Sequence, residues 1–432
     1  MTFASKSMSY HNAIDYLETK TKVLELCNEY GARVAVCPDW NGRVMTSSAD
    51  GLDGDSFGMI NVPGIERGDD DDSYRFLGGE DQFTLSPEGG PFSLYFAFDP
   101  EASAVRKCQV APPIGYHEGR FDVDFAPPTP SIRMRRNLRM MNLAGARFDF
   151  DIVRTVRLTD DADFCPLYGE AVASALEQQD LSYVSYQTVN TLVNRGGTLS
   201  KNSGLVSIRL RSMFNSTPHH VIVVPFKPGS EEELGPSVCV DFFGMAPHGR
   251  LRVLDNIALL RADGRYRCQI GVSRKRSLPC IGAIDLRNGV LSLVSFEMPP
   301  DPAGYDYLSN EYCETVSHTT CDFVRTREFY FSEFLPSPRE EPPILELAPE
   351  DNPYSGEVLR AYSSGPSGPK DRPSGAYYEF NTFSPAYALN TNESFSHVQY
   401  TTHINADRET LEFLLRSLFH ADLDFVYKRM LR

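Results

Sequence analysis

The sequence predicts a mostly β protein, in which two large antiparallel sheets stack on each other and a few helices lie at the periphery. Apolar residues alternate with polar ones at a period of two in many consecutive segments, which is the pattern of half-buried strands. Turn signals such as 263–264 and 287–289 separate these segments, and no strand–helix alternation of the doubly wound type occurs. More than a dozen strands exceed one comfortable open sheet, so we expect two stacked sheets.

The predicted strands follow one another along most of the chain. A hairpin signal at 28–31 joins the first two, and the segment 375–404 supplies the last two, separated by the Ser384-Pro385 turn and a polar break at 390–393. The strands before that segment are predicted at 23–26, 33–36, 92–98, 132–142, 148–158, 181–193, 204–213, 220–225, 251–260, 266–272, 281–286 and 290–296.

Helical periodicity is confined to three stretches, 10–20, 170–179 and 407–430. In the last of these, leucines recur at helical spacing and Asp407 is a suitable N-cap, so we expect a C-terminal helix that packs on the outside of the sheets. The stretch 336–374 is rich in Pro, Gly, Ser and Glu, and it is interpreted as a long connector that either flexes or folds over a site. Since no other break in composition occurs, residues 1–432 are predicted to form a single domain.

Charge and composition exclude several classes of partner. The formal net charge of -16 argues against nucleic acid, because phosphate binding needs clustered Lys and Arg. No apolar run reaches the about 18 to 20 residues that span a bilayer, so no membrane partner is expected. The N-terminus has no signal-peptide core, and the nine cysteines include no CxxC pair, which together indicate a cytoplasmic protein with reduced thiols.

One carboxylate, Glu379, lies in a strongly aromatic strand between Tyr377, Tyr378 and Phe380. Burying a carboxylate among aromatic rings is costly unless the group is paired or used for chemistry. Glu379 is therefore the first candidate for a catalytic residue.

Two glycine-bracketed segments supply further candidates. The segment 41–51 carries Arg43 just after a Gly turn, where its guanidinium could meet a ligand or instead tie two loops together. The segment 78–90 places Glu80, Asp81 and Glu88 between double glycines and before an aromatic stretch. Carboxylates that accept hydrogen bonds from hydroxyls, beside rings that cover C–H faces, are typical of a sugar pocket; the alternative is a tight turn with solvated acids.

Other catalytic signatures do not occur. The sequence contains no HExxH, GxSxG, Walker A or GxGxxG motif, and its His and Cys spacings fit no metal site, so neither a metal nor another cofactor is expected. His397 is retained as a substrate-binding candidate because it belongs to the same segment as Glu379.

At 377–404 the sequence resembles the C-terminal part of galactose mutarotases (aldose 1-epimerases). That family has a strand with a Glu after small or aromatic residues, then an FP- or SP-like turn, and then a segment that opens a last strand. Glu379 falls where the family places its general base. The segments NGRVMTSSADG and GGEDQFTLSPEGG are similar to an uncharacterised bacterial branch with the same β-supersandwich, and that similarity extends to GLVSIRLRSMFN, PFKPGSEEELGP and YRCQIGVS.

The sequence departs from the mutarotase pattern at one important point. Mutarotases carry a histidine general acid on a central strand, and the corresponding stretch here, 193–208, has Ser207 or a neighbour in that place. Arg75 lies roughly where mutarotases carry an arginine that contacts the sugar.

The resemblance implies a small-molecule carbohydrate ligand and sugar 1-epimerisation, in which a base takes the anomeric proton and an acid protonates the ring oxygen. Glu379, with a pKa raised by its aromatic surroundings, is the expected base. The acid stays open among Glu80, Asp81 and Glu88, with Arg43 orienting one of them. Two alternatives remain: a non-catalytic sugar-binding or sensor protein, and a glycoside hydrolase or lyase that uses Glu88 with Glu379.

Overall fold

The computed structural model describes residues 8–66, 77–95, 119–178, 181–240, 246–247, 249–310, 352–366 and 375–431. Within these residues the chain is organised as a succession of antiparallel strands with few helices, so the predicted fold class is confirmed. In chain order the strands are β1 (Leu24–Cys27), β2 (Arg33–Cys37), β3 (Arg43–Ser48), β4 (Gln82–Ser86), β5 (Asp122–Phe125), β6 (Ser131–Met141), β7 (Arg147–Leu158), β8 (Ser182–Asn194), β9 (Ser207–Asn215), β10 (His220–Pro225), β11 (Leu251–Val253), β12 (Ile257–Arg261), β13 (Cys268–Ser273), β14 (Cys280–Asp285), β15 (Val290–Phe296), β16 (Glu357–Ser363), β17 (Tyr377–Phe383) and β18 (Ser394–Asn405).

The first layer is a ten-stranded sheet in the order β11-β12-β10-β14-β15-β18-β8-β7-β6-β5. Its centre is β18, which pairs with β15 on one side and along its full length with β8 on the other. The strand therefore joins two parts of the sheet that come from distant parts of the chain.

The second layer consists of a five-stranded sheet, β13-β16-β17-β9-β4, and a three-stranded sheet, β1-β2-β3. The two meet at an isolated bridge between Val44 and Asp81, whose backbone N–H groups each donate to the other's carbonyl, at 3.1 and 3.2 Å. This junction places the start of β4 directly beside β3.

Side chains from both layers form the core between them. Phe83, Ile208 and Leu210 of the second layer share one apolar cluster with Phe150 and Ile152 of the ten-stranded sheet. A further cluster joins Phe214 and Phe380 to the β10, β12 and β14 side of that sheet. The inward positions of β9 and β17 are thus occupied by apolar residues, and the intervening residues face the other way.

The helices are α1 (Tyr10–Glu18), α2 (Val62–Glu66), α3 (Asp161–Tyr168), α4 (Glu170–Gln178), α5 (Glu231–Leu234), α6 (Arg408–Phe419) and α7 (Leu423–Met430), with a 3₁₀ turn at Pro302–Gly304. Apolar faces of α3, α4, α6 and α7 cover one part of the ten-stranded sheet on the side away from the second layer. The helix α1 packs against the three-stranded sheet. Asp407 accepts a hydrogen bond from the Thr410 N–H at 2.8 Å and so caps α6, as the sequence predicts.

Some boundaries differ from the prediction. A single helix over 407–430 is wrong, because His420 adopts a left-handed conformation (φ 53) that ends α6 before α7 begins. The predicted strand 251–260 is two strands, and 92–95 is not a strand; 96–98 lie outside the described residues. The connector predicted over 336–374 contains β16, and the rest of it is described only at 352–356 and 364–366.

Candidate functional site

The predicted site residues lie in two separate places. Asp81, Glu80 and Arg43 are enclosed between or within the layers, and each is at most 1% exposed. Glu379 and Glu88 belong to the face of the five-stranded sheet that points away from the ten-stranded sheet, which we call the outer face. The structure therefore does not bring Arg43, Glu80 and Asp81 together with Glu379 in one pocket.

Asp81 forms an ion pair across the two layers. The Arg154 guanidinium, which points inward from β7, donates to Asp81 Oδ1 at 2.6 Å and to the Gly42 carbonyl at 2.8 Å. Asp81 Oδ2 accepts hydrogen bonds from Thr188 at 2.8 Å and from Gln399 at 3.1 Å. Both carboxylate oxygens are thus satisfied by protein groups, as a buried charge requires.

Glu80 has an equally enclosed environment. Its Oε1 accepts from the Ser47 N–H at 2.7 Å and from the Ser47 hydroxyl at 2.9 Å, and its Oε2 accepts from the Tyr186 hydroxyl at 3.1 Å. His403 Nε2 lies 3.7 Å from Oε2. The side chains of Glu80 and His403 are inaccessible to solvent, so the protein itself surrounds this acid.

Arg43 ties two loops together, which is one of the two readings that the sequence leaves open. Its Nη1 donates to the Gly78 carbonyl at 2.5 Å, and its side chain lies against the backbone of Gly79. A Cβ at Gly79 would lie 2.5 Å from Arg43 Cδ, and Gly79 has a φ of 111. Glycine is therefore required at 79 by both space and backbone conformation.

His397 also points into the interior. It is 2% exposed, and its Nε2 lies 2.9 Å from the Thr382 hydroxyl. Burial lowers the pKa of His397 to about 3, because the charged imidazolium would lose its hydration. His397 belongs to β18 of the ten-stranded sheet, whereas Glu379 belongs to β17 of the five-stranded sheet, so the two residues do not share a strand. Thr382, which His397 contacts, points inward from β17, and Glu379 points outward. The candidate Arg75 lies outside the described residues.

The outer face carries a cluster of charged and amide side chains that we call the outer-face cluster. Ile208 and Leu210 of β9 face the core, so Arg209 between them and Arg211 after Leu210 face outward. In the same way Glu379 and Asn381 alternate with the core residue Phe380 in β17, and Arg360 alternates with Ala361 in β16. The cluster consists of Glu88, Arg209, Arg211, Arg360, Glu379 and Asn381.

Glu379 is held by a bidentate ion pair. Arg211 Nη2 donates to Glu379 Oε1 at 2.6 Å and Arg211 Nε donates to Oε2 at 3.0 Å, and the two side chains are 14% and 4% exposed. Asn381 Nδ2 adds a longer hydrogen bond of 3.4 Å to Oε2. The carboxylate that the sequence singles out is therefore paired, and its partner comes from the neighbouring strand β9.

Glu88 joins this cluster through Arg209. Arg209 Nη1 donates to Glu88 Oε2 at 2.5 Å and Arg209 Nε donates to Asn381 Oδ1 at 3.0 Å. Burial alone would raise the pKa of Glu88, but Arg209, Arg211 and Arg360 outweigh it and hold the pKa below its ordinary value. Glu88 is thus an ionised carboxylate at neutral pH.

Aromatic side chains accompany these groups. Tyr362 pairs directly with Glu379 in the strand register, and Tyr377 lies two residues before it, on the same side of β17. Burial and the nearby Glu379 carboxylate raise the pKa of both phenols, so both keep their protons. The ring of Phe383 has the guanidinium groups of Arg209 and Arg360 at 5.8 and 5.7 Å from its centroid, within cation–π range.

Sequence reasoning missed the arginines and the amide that complete this cluster. All four side chains stand at outward positions, Arg209 and Arg360 between two apolar neighbours and Arg211 and Asn381 after one, and the alternation in SIRLR marks the two in β9. Ser207, which occupies the place of the mutarotase histidine, lies on the same face of β9 and pairs with Ser86 of β4. In the described part of the chain, no histidine is hydrogen-bonded or ion-paired to the outer-face cluster.

The described residues offer neither a metal site nor a membrane-spanning helix. Among the residues that the structure describes, no group of three or more His, Cys, Asp and Glu side chains is arranged to hold a metal ion. Within the same residues, no helix has the length and apolar character needed to cross a bilayer.

The fold and site define a mostly β protein with large antiparallel sheets and a polar cluster on the outer face of one of them. The chain belongs to the Family of unknown function (DUF6786), whose model matches residues 8–325 and 345–430. No curated protein shows a significant sequence match to the chain.

Several solved structures are similar to the chain over most of its length. A putative aldose 1-epimerase from Escherichia coli K12 is 10% identical, with 88% of this chain and 98% of that chain covered and a TM-score of 0.47. The Slr1438 protein from Synechocystis sp. PCC 6803 is 12% identical, with 90% and 97% covered and a TM-score of 0.48. A TPR-domain containing protein from Parabacteroides distasonis is 11% identical, with 88% of this chain and 46% of that chain covered and a TM-score of 0.41.

Proposed function

We propose that the outer-face cluster binds a small-molecule carbohydrate, and that Glu379 acts there as the general base of a sugar 1-epimerase. The observation that carries this proposal is the position of Glu379, which lies on the outer face among arginine, amide and phenol donors. Sugar hydroxyls need such donors and acceptors at close spacing, and aromatic rings such as Tyr362 and Tyr377 complement their C–H faces.

The chemistry requires one proton acceptor and one proton donor. Glu379 would take the proton from the anomeric hydroxyl, the ring would open, and closure after rotation of the aldehyde would return the proton. Glu88 is a poor acid because its pKa is lowered, and Glu80 and Asp81 are enclosed in the interior. We therefore assign the donor role at the ring oxygen to the phenol of Tyr362, which lies beside Glu379 and keeps its proton, with the Tyr377 phenol hydrogen-bonded to it.

A second candidate is a carbohydrate-binding protein without catalytic activity. The bidentate pair between Arg211 and Glu379 favours it, because the guanidinium competes with a substrate hydroxyl for the carboxylate. The hydrolase or lyase alternative has weaker support, since it needs a protonated acid and the pKa of Glu88 is lowered.

The test is NMR exchange between the anomeric signals of a panel of hexoses, with binding followed in the same samples by ligand-observed NMR. Wild-type protein is expected to speed the exchange of at least one sugar, and Glu379→Gln is expected to lose about 100-fold or more of that rate. A matched control is Asp149→Asn, which removes a carboxylate paired with Arg139 on the exposed side of the ten-stranded sheet and leaves the outer face intact.

Each outcome decides between the candidates. Saturable binding with uncatalysed exchange for every sugar would support the binding protein and contradict the epimerase. Exchange that is as fast in Glu379→Gln as in wild type would remove Glu379 from the mechanism. No binding of any sugar would contradict both candidates.

A further inference from the structure

Asn381 lies between the two ion pairs of the outer-face cluster and touches both. Its Oδ1 accepts from Arg209 Nε at 3.0 Å, and its Nδ2 donates to Glu379 Oε2 at 3.4 Å. Arg209 in turn donates to Glu88 Oε2 at 2.5 Å. The four side chains therefore form one hydrogen-bonded row from Glu88 to Glu379.

The orientation of the Asn381 amide is fixed by its neighbours. An arginine side chain can only donate hydrogen bonds, and a carboxylate can only accept them. Arg209 therefore requires the Asn381 oxygen on its side, and Glu379 requires the NH₂ group on the other side. A flipped amide would place NH₂ against the guanidinium and oxygen against the carboxylate, so both contacts would become repulsive.

The two oxygens of Glu379 are consequently not equivalent. Among the described residues, Oε2 accepts from Arg211 Nε and from Asn381 Nδ2, whereas Oε1 accepts only from Arg211 Nη2. A carboxylate oxygen accepts about two hydrogen bonds in its plane, so Oε1 has spare capacity and Oε2 has none.

We infer that Asn381 is a positioning residue that directs the incoming hydroxyl proton to Oε1 of Glu379, and that the pair of Arg209 and Glu88 holds Asn381 in the required orientation. This inference rests on the proposed role of Glu379 as a base. It gives Glu88 a supporting role, since the carboxylate keeps the Arg209 guanidinium in place at the distant end of the row.

The inference predicts the consequence of an isosteric change. In Asn381→Asp the oxygen that faces Arg209 is kept, but the donor that faces Glu379 becomes a second carboxylate oxygen. A like charge at this distance disfavours ionisation of Glu379, so its titration midpoint is expected to rise by about one pH unit. In Asn381→Ala the donor is lost without an added charge, and a smaller rise in the same direction is expected.

The measurement is a pH titration of the full-length protein by ¹³C NMR with side-chain-labelled Glu, with the Glu379 signal assigned from its absence in Glu379→Gln. The matched control is Asn137→Asp, because Asn137 also donates to carboxylates, those of Asp149 and Asp151, but on the exposed side of the ten-stranded sheet. The control is expected to leave the Glu379 midpoint unchanged. Equal midpoints in wild type, Asn381→Asp and Asn381→Ala would overturn the inference, and if Asn381→Asp does not fold, Asn381→Ala decides alone.

A second measurement separates this inference from the proposed function. If anomer exchange is catalysed, the acid limb of its pH–rate profile is expected to move upward in Asn381→Asp by the same amount as the NMR midpoint, with a larger effect on kcat than on KM. An NMR shift without any catalysed exchange in wild type would contradict the epimerase while confirming that Asn381 tunes Glu379. Catalysed exchange whose acid limb does not move would support the epimerase and overturn the positioning role.

Discussion

Two arginine–carboxylate pairs with the same contact distance occupy opposite environments in this protein. The Arg154–Asp81 pair and the Arg211–Glu379 pair each have an N···O distance of 2.6 Å. The first is completely inaccessible to solvent, between the two layers, and the second is partly accessible on the outer face. The interior pair is completed by protein groups on both carboxylate oxygens, whereas Glu379 keeps acceptor capacity on Oε1.

This difference teaches that pairing alone does not identify a functional carboxylate. Asp81 connects β4 to β7, β8 and β18, so its bonds fix how the two layers lie on each other. Among the residues that the structure describes, Glu379 accepts hydrogen bonds only within its own sheet, from Arg211 and Asn381. A carboxylate that is enclosed and whose oxygens accept all the hydrogen bonds they can has a structural role. A carboxylate that can accept a further hydrogen bond at a partly accessible face is the better candidate for chemistry.

The largest effect is expected from breaking the interior pair. Asp81→Asn leaves the Arg154 guanidinium buried without a counter-charge, which costs about 3–5 kcal/mol of unfolding free energy. Urea denaturation followed by circular dichroism measures this change. A loss below about 1 kcal/mol would show that Arg154 finds another partner, and the pair would then not hold the layers together.

The double variant Asp81→Asn/Arg154→Met tests the cause of that loss. Because it removes the stranded cation as well, it is expected to be more stable than Asp81→Asn alone. A double variant as unstable as the sum of two independent losses would contradict the ion-pair explanation.

Acid is expected to weaken the interior before it affects the outer face. Burial lowers the pKa of His397 to about 3, and burial, partly offset by Asp285, lowers the pKa of His220 to about 4, from 6.5. The unfolded chain therefore binds more protons than the folded chain below pH 6.5, so stability is full above that pH and falls as the pH drops toward 4. Each histidine contributes a slope of up to about 1.4 kcal/mol per pH unit.

The outer face behaves differently because the lowered pKa of Glu88 keeps its ionised form below the ordinary value of 4.5. Its contribution is present above pH 4.5 and is lost only as the pH falls further, through the folded pKa. Unfolding free energies measured from pH 7 to pH 4.5 are therefore expected to decline with the histidines, and His397→Gln is expected to flatten the slope. If the slope is the same in that variant as in wild type, the decline in unfolding free energy does not come from His397.

A smaller effect on stability is expected at the outer face. Glu379→Gln keeps the shape of the side chain and leaves Arg211 partly in contact with water, so the expected loss is about 1–3 kcal/mol. The same urea experiment measures it beside Asp81→Asn. A greater loss than in Asp81→Asn would reverse the comparison and assign Glu379 the structural role.

The smallest effect is expected at a solvent-exposed pair. Arg139 and Asp149 face solvent on the ten-stranded sheet, with the arginine 61% exposed, so Asp149→Asn is expected to change stability by about 0–1 kcal/mol. Adding 0.5 M NaCl should narrow any difference in stability between that variant and wild type, because salt screens an exposed ion pair. If Asp149→Asn loses as much unfolding free energy as Glu379→Gln, solvent exposure does not determine how much these ion pairs stabilise the protein.

The sequence predicts strands best where β-branched runs end at clear turns. The bounds of β10 and β15 agree with the prediction because Val and Ile fill most of β10, and Val, Leu and Phe fill β15 except for two Ser. Gly289 directly precedes β15. In contrast, β16 lies in a stretch whose Pro and Gly content resembles a connector, and only pairing with β13 and β17 makes it a strand. Tertiary pairing of this kind leaves little trace in local composition.

The candidate site divides in the same way. The aromatic setting of Glu379 is readable in the sequence, and Glu88 is found in the same cluster. The sequence does not show that Glu80 and Asp81 both point inward, because they lie just before β4 and the period-two pattern would place adjacent residues on opposite faces. The sequence also gives no indication that Arg154 pairs with Asp81, since the two residues are 73 positions apart in the chain.

The central position of β18 has a consequence for how the chain is made and folds. Two sets of strands in the ten-stranded sheet precede β18 in the chain: β5 to β8, and β10 to β12 with β14 and β15. Each set ends at an edge that pairs with β18. Until residues 394–405 emerge from the ribosome, β8 and β15 present unpaired backbone groups, which are sites for aggregation. The large sheet therefore cannot be completed before β18 has been synthesised, and its two parts depend on this strand to become one sheet.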